Sequence, residues 1–441
     1  RVIAVLRMAE ALSPKYHVVV ANPPYMGSNG MNPFLSDFTK NRFQSGKSDL
    51  MTCFLERSWQ LLKRQGFQGV VTLDSWMFLT SFADFRGKLL SSHSIASLVH
   101  VGWNCFPDGH VYNRGVALVG NANTTHQLGT FVDLSNVPAV VEKESLFRER
   151  LKSGECNYRK DGSTLSKLPE AMLGYWLSDA TIEAFASNDG VGEKYPVKSG
   201  IMTGDDARYL RFWQEMSIDR IEFGLSDANQ MSGKFFPLNK GGEFRKWYGN
   251  NSHVINLRNS GADIKASGKN YRLRDPEWYF KPYVSWSRIT SGNVAFRVVP
   301  GGVLFADAAP GVFASSECQE TASLLNSSAA KHFLSALNPT INFQTGDVER
   351  VPFVDGANVS VSRDLIDAAK SDWDAYETSW DFTTLPLLSP DHRGETLAES
   401  YATLRANWQS MTDEMQALEE ENNRIFIDAY GLQDELTPEV P

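Results

Sequence analysis

The sequence predicts an α/β protein in three parts: half of a doubly wound sheet over residues 1–150, a mixed α+β region over 151–355 and a helical tail over 356–441. Through the first part, short apolar runs alternate with amphipathic helical patterns, as parallel strands joined by crossover helices require. From about residue 151 helical periodicity fades, glycine and aromatic residues rise, and short β-type runs alternate with basic loops. Beyond residue 355 the helical period returns and the charge turns acidic.

The first strand is the apolar run His17-Val-Val-Val-Ala21, expected to be parallel and buried. Asn22-Pro23-Pro24-Tyr25 ends it, because two prolines can extend neither a strand nor a helix. A Gly/Asn/Ser-rich loop over 26–32 and a polar stretch with Lys40, Arg42 and Lys47 follow. Asp49 is placed to cap a helix reaching about residue 64. Leu50, Met51, Phe54, Leu55, Trp59, Leu61 and Leu62 lie near one face, with Gly66 as its stop. Residues 69–73 make the next buried strand, and Asp74 opens a turn after it. A helix over 81–92, a strand over 95–101, a turn at Phe106-Pro-Asp-Gly-His110 and a strand over 115–119 complete the part. In the tail, helices are expected over 364–380 and, with an acidic face, over 397–424, before a short amphipathic end.

Composition narrows the class. With 42% hydrophobic and 22% charged residues the chain reads as globular, and no apolar run approaches the roughly 18 residues of a membrane span. The four cysteines (Cys53, Cys105, Cys156, Cys318) lack CxxC spacing, so reduced thiols in a cytoplasm are expected, without a disulfide framework or a zinc site. The eight histidines show no HExxH spacing and are read as packing and surface residues; no metal is expected. The net charge of −9 conceals a division. Residues 355–439 hold 19 acidic against 5 basic side chains, whereas residues 194–297 hold 17 basic against 10 acidic. A basic middle can contact phosphates whatever the global charge, because that attraction is local.

Asn22-Pro23-Pro24-Tyr25 carries the chemistry. In an open α/β sheet, ligands bind at the carboxyl ends of the strands, where this turn lies. It offers an amide side chain, carbonyl acceptors and an aromatic ring, a set suited to hold a flipped-out base and polarise its exocyclic amine. An adenine N6 is a poor nucleophile, since its lone pair is delocalised into the purine. Acceptance of both amino hydrogens by the Asn22 side-chain oxygen and the Pro23 carbonyl would favour a pyramidal, nucleophilic nitrogen. Tyr25 would stack on the base, and no covalent enzyme intermediate is needed.

These residues resemble motif IV of the N6-adenine DNA methyltransferases. Asp49-Leu-Met-Thr-Cys-Phe-Leu-Glu56 and Val70-Val-Thr-Leu-Asp-Ser-Trp76 are similar to the helix and strand that follow it in the gamma class, and Cys105-Phe-Pro-Asp-Gly-His-Val111 resembles motif VIII. Thr203-Gly-Asp-Asp-Ala-Arg208, Asn239-Lys-Gly-Gly-Glu-Phe-Arg-Lys-Trp-Tyr248, Trp286-Ser-Arg-Ile-Thr-Ser-Gly292 and Asn338-Pro-Thr-Ile-Asn-Phe-Gln-Thr-Gly-Asp347 extend the likeness to the adenine methyltransferases of BREX phage-defence systems. The resemblance implies a Rossmann-like methyltransferase sheet, S-adenosylmethionine as donor and modification of host DNA as self. It implies that Phe106 is the second wall around the base and that Pro24 lies against the cofactor's methionine end. It also implies a target-recognition region in the basic middle, contacting double-stranded DNA through Lys234, Lys240, Arg245, Lys246, Trp247, Arg258, Arg272, Arg274 and Arg288, with Lys265, Lys269, Tyr248, Tyr271 and Trp286 interleaved.

One departure is large. The family's F-x-G-x-G cofactor loop precedes Asn-Pro-Pro-Tyr, and only 21 residues stand before Asn22, none forming such a loop. With Arg1 as its first residue, the chain is expected to be the carboxyl-terminal portion of a longer polypeptide, its cofactor held mainly outside this sequence and the isolated segment inactive. Other proteins of the defence system are expected partners, and a phage-encoded DNA mimic could exploit the basic middle electrostatically. The alternative is a non-catalytic DNA-recognition or assembly component; a protein glutamine methyltransferase fits poorly, since about 415 residues follow Tyr25. No nuclease arrangement is evident.

Overall fold

The computed structural model describes residues 2–103, 115–122, 127–138, 140–290, 292–338, 341–354 and 359–440. They form two compact units, Arg1–Ala186 and Ser187–Pro441.

The first unit runs α1 (Val2–Ala11), β1 (Tyr16–Ala21), α2 (Pro33–Arg42), α3 (Leu50–Leu61), β2 (Leu62–Leu73), α4 (Ala83–Ser92), β3 (His93–Gly102), β4 (Gly115–Ala122), β5 (Gly129–Asp133), α5 (Lys143–Ser153) and β6 (Asn157–Lys160). Its sheet has the order β1-β2-β4-β3-β5-β6. β1 and β2 are parallel, as are β3 and β5, while β4 runs against both β2 and β3. The carboxyl ends of β1, β2, β3 and β5 therefore share one rim, which gathers Asn22, Asp74, His100 and Asp133. The expected boundary near residue 150 falls inside α5, and β6 beyond it completes the same sheet.

Two expectations change. The helix stops at Leu61 and β2 starts at once, because Leu62 is buried and pairs with Tyr16. The polar run after it enters the strand through a bulge, with Gln65 at φ 64°. Gly66 serves this close approach rather than ending a helix: a Cβ there would lie 2.9 Å from the His17 carbonyl oxygen. The first strand is parallel as expected, but it is exposed, with Val18 56% and Val20 77% accessible. Among the described residues β1 pairs with β2 alone, and α1 buries no residue although it carries Val2, Ile3, Val5, Leu6 and Met8. An apolar parallel strand with an open edge is a surface awaiting a neighbour.

Behind the rim, fully buried Arg86 donates to the carbonyls of Trp76 (2.9 Å), Leu79 (2.8 Å) and Glu170 (3.1 Å), fixing the turn after β2. His93 stacks on Trp59 at 4.4 Å between centroids. Burial, then the nearby Lys88 charge, pushes its pKa down to about 4. The unfolded chain binds the proton near pH 6.5 that the folded chain refuses, so this stabilising contribution is complete above about pH 6.5 and is lost as pH falls towards 4. His93→Gln is expected to flatten the acid-side fall of Tm across that window. Parallel pH profiles of Tm for the two proteins would refute the assignment.

The second unit holds two four-stranded sheets. One is β13 (Leu304–Phe305), β9 (Phe235–Asn239), β10 (His253–Asn256), β8 (Leu210–Phe212); the other is β12 (Phe296–Val299), β11 (Tyr283–Trp286), β14 (Gly311–Val312), β7 (Val197–Lys198). Phe236, Ile255, Tyr283, Leu304 and Phe305 close a shared core. Helices α6 (Cys318–Asn326), α7 (Ser328–Leu337), α8 (Val359–Asp374) and α9 (Leu397–Tyr430) complete it. α8 ends short of residue 380, where Ser379 Oγ donates to Asp374 in a turn (2.7 Å). α9 is unbroken: Thr396 and Glu399 cap its start reciprocally, and Phe426, Ile427 and Tyr430 extend its buried stripe to Gly431 at φ 67°. The acidic tail is thus built into the unit, with Leu365, Ile366, Met415 and Leu418 packed around Trp247 and Tyr248.

Candidate active site

The Asn22-Pro23-Pro24-Tyr25 turn leaves β1 at the carboxyl rim with Pro23 buried, Tyr25 half-buried, and Asn22 and Pro24 exposed. The Tyr25 hydroxyl donates to Asn22 Oδ1 (3.2 Å) and lies 3.4 Å from the Val71 carbonyl oxygen of β2. That ties the amide oxygen and the ring to the neighbouring strand. Immediately after the turn, Met26 N–H donates to Asp49 Oδ1 (3.2 Å), which also accepts from Met51 N–H (2.9 Å). Leu50 N–H donates in turn to the Met26 carbonyl (3.0 Å). Asp49 is therefore the N-cap of α3 and the anchor of the loop after Tyr25 in one side chain.

Along the same rim Asp74 Oδ2 meets His100 Nε2 at 2.9 Å, and His100 Nδ1 meets the Tyr175 hydroxyl at 3.0 Å, with Asp133 Oδ1 at 3.9 Å. His100 is 2% exposed. Sequence reasoning passed over it. The available signal was a histidine between two valines of a buried strand, a position that demands polar partners. Phe106, the expected second wall, lies outside the described residues.

Cys53 and Cys318 offer no nucleophile. Burial, with Glu56 and Asp49 adding, pushes the Cys53 thiol up to about 12, and burial pushes Cys318 to about 11, so both are protonated at neutral pH. The described residues present no cluster of His, Cys, Asp and Glu that could hold a metal ion.

In the second unit the basic candidates divide. Lys234, Arg258 and Arg272 are exposed. Lys240 pairs with Asp206 (2.7 Å), Arg274 with Asp307 (3.0 Å) and Arg288 with the same Asp307. Lys269 pairs with Asp205 (2.9 Å). Arg245 pairs with Asp372 (3.0 Å) and Lys246 with Glu419 (2.8 Å), both carboxylates belonging to the acidic tail. Trp247 is 1% exposed and its indole N–H donates to Glu419 (2.6 Å). Trp286 and Tyr248 are likewise interior, so these three rings belong to the core rather than to a stacking surface. Asp347 Oδ2 accepts from Asn338 Nδ2 (2.6 Å) and from Gln344 N–H (2.8 Å).

The segment that builds most of this rim resembles a known family. Residues 7–106 match the family model described as Eco57I restriction-modification methylase. Over 98% of its length the chain is 34% identical to the adenine-specific methyltransferase PglX of Lacticaseibacillus casei (strain Zhang) and 30% identical to the adenine-specific methyltransferase BrxX of Escherichia coli O9:H4 (strain HS). It is thus a homologue of these two proteins, as its motifs led one to expect, and it spans 38% and 35% of their respective lengths. A solved type IIL restriction-modification enzyme, MmeI, in complex with DNA aligns over 95% of this chain and 57% of its own at 12% identity, with a TM-score of 0.48.

Proposed function

We propose that this chain is the carboxyl-terminal portion of a site-specific DNA adenine N6-methyltransferase of a BREX phage-defence system. In this reading it works in the cytoplasm with the other proteins of that system, and a phage DNA mimic could compete for its basic surface. The observation that carries the reading is the Asn22-Pro23-Pro24-Tyr25 turn at the sheet's carboxyl rim, with the Tyr25 hydroxyl on Asn22 Oδ1. The names of the two homologues agree with it.

Asn22 Oδ1 and the Pro23 carbonyl accept the two amino hydrogens of a flipped-out adenine, which localises the N6 lone pair for in-line attack. Tyr25 covers one face of the base and Phe106 the other, each stack worth roughly 1–3 kcal/mol. S-adenosylmethionine would supply an electrophilic methyl group. Among the described residues the exposed Pro24 ring and the open edge of β1 lie at that rim, and the sequence holds no F-x-G-x-G stretch beside them. They do not suffice to hold it. The exposed valines of β1 and the bare apolar face of α1 fit a covering segment that carries the donor site. Lys234, Arg258 and Arg272 would position the duplex through its phosphates.

The test is direct. The full-length polypeptide carrying this chain, given duplex DNA and S-adenosylmethionine, should form N6-methyladenine detectable by mass spectrometry of the digested DNA. The 441-residue chain alone should form none. Product from the isolated chain would refute the proposed division of the site, and sequence-specific DNA binding without product from the full-length polypeptide would favour a non-catalytic recognition component.

A further inference from the structure

Three stretches singled out by the sequence, residues 203–208, 239–242 and 286–290, converge in the second unit on one recess of about 200 Å³ lined by Thr203, Asp206, Lys240, Arg288 and Asp307, among others. It adjoins a hollow of about 440 Å³ that shares Asp206, Leu210 and Lys240. At its wall a single carboxylate stands between two guanidinium groups: Asp307 Oδ1 accepts from Arg274 Nη2 at 3.0 Å, and Asp307 Oδ2 accepts from Arg288 Nη1. Across the lining Asp206 and Asp307 balance Lys240 and Arg288, and Arg274, which also pairs with Asp307, adds one positive charge beside the recess. Arg274 has a further donor engaged, its Nε bonding the Gly200 carbonyl at 3.0 Å. Arg288 does not: its Nε is buried with no acceptor among the described residues.

The mounting of Arg288 is rigid. It follows the wholly buried β11, its N–H donates to the Ala308 carbonyl (2.9 Å), and its carbonyl accepts from Phe343 N–H (2.8 Å). Asp307 is fixed by its own N–H donating to the Ile201 carbonyl (2.8 Å). Beside them Lys240 is held on Asp206 (2.7 Å), which also accepts from Thr203 Oγ1 (2.5 Å). Phosphate contacts tolerate long, mobile cations. A guanidinium fork pairs bidentately with a phosphate as well as with a base edge, but one held by a buttressing carboxylate on strand-anchored backbone suits a target whose two acceptors are themselves fixed in place. In the major groove that target is guanine, which presents O6 and N7 side by side.

We propose that Arg288, oriented by Asp307, reads a guanine of the recognition sequence through O6 and N7. This rests on the DNA-methyltransferase reading, and the experiment separates the two. With the full-length polypeptide, duplexes selected from a random pool by binding define the preferred sequence, and methylation is followed separately on the same duplexes. Each guanine is then replaced by 7-deazaguanine, which lacks the N7 acceptor. One replacement is expected to weaken binding of the unaltered protein by about ten- to a hundred-fold. Arg288→Ala and Arg288→Lys should lose discrimination at that position only, and in Arg288→Ala the 7-deaza replacement there should have no further effect. Uniform weakening at every sequence, or a preferred sequence without guanine on either strand, would overturn the proposal. If a 288 variant does not fold, as judged by circular dichroism, the unaltered protein still decides: indifference to 7-deazaguanine at all positions refutes it. Guanine discrimination that depends on Arg288 without any methylation would uphold this inference and defeat the catalytic reading. Methylation at a sequence unaltered in Arg288→Ala would do the reverse.

Discussion

Replacing Asn22 by alanine in the full-length polypeptide is expected to lower adenine methylation by at least about 10²–10³-fold, the scale of losing one preorganised polar group at a reacting centre. The affinity for duplex DNA should hardly change. The side chain is exposed at the rim and donates to no described neighbour, its oxygen being steadied by the Tyr25 hydroxyl at 3.2 Å. Its removal should therefore cost the fold little and, on the proposed reading, deprive the amine of an acceptor. Asn22→Asp keeps an acceptor in place and should retain more activity than alanine. Single-turnover methylation, with binding measured on the same duplex, reads both quantities. Alanine activity within a few-fold of the unaltered protein would remove Asn22 from the chemistry, and a matching loss of binding would make it a DNA contact.

The legibility of this site followed from locality. Asn22-Pro-Pro-Tyr25 and the run before it lie within nine residues, and two prolines mark a strand end unambiguously. The parallel strand was readable in His17–Ala21 for the same reason. Its exposure was not, because a row of valines states that burial is favourable without stating what supplies it. Asp74 and His100 stand 26 residues apart in the chain, and His100 and Tyr175 stand 75 apart. Their meeting depends on sheet order, which no local pattern encodes. Arg288 and Asp307 are close in sequence, 19 residues apart, yet their pairing depends on which strands end side by side.

The same limit governs Arg245-Lys246-Trp247. A basic pair beside an indole reads locally as a nucleic-acid contact, but the carboxylates that satisfy it lie 127 to 173 residues away on α8 and α9. Trp247→Ala is accordingly expected to destabilise the second unit by about 3–5 kcal/mol, the cost of emptying a large aromatic site in a packed core. It would also leave Glu419 without its indole partner, while Lys246 at 2.8 Å remains. The outcome should be a Tm lowered by several degrees and earlier release of α9, seen as proteolysis between α8 and α9. Arg245→Ala with Lys246→Ala bears on the other half of the question. Two cations that contact phosphates would each flatten the dependence of log affinity on log salt by nearly one unit. Cations already neutralised by Asp372 and Glu419 should change that slope by much less and Tm by about 1–2 kcal/mol worth of stability. A full two-unit change in slope with unaltered Tm would return these residues to the DNA interface. It would require α8 and α9 to give up their ion pairs when the duplex binds.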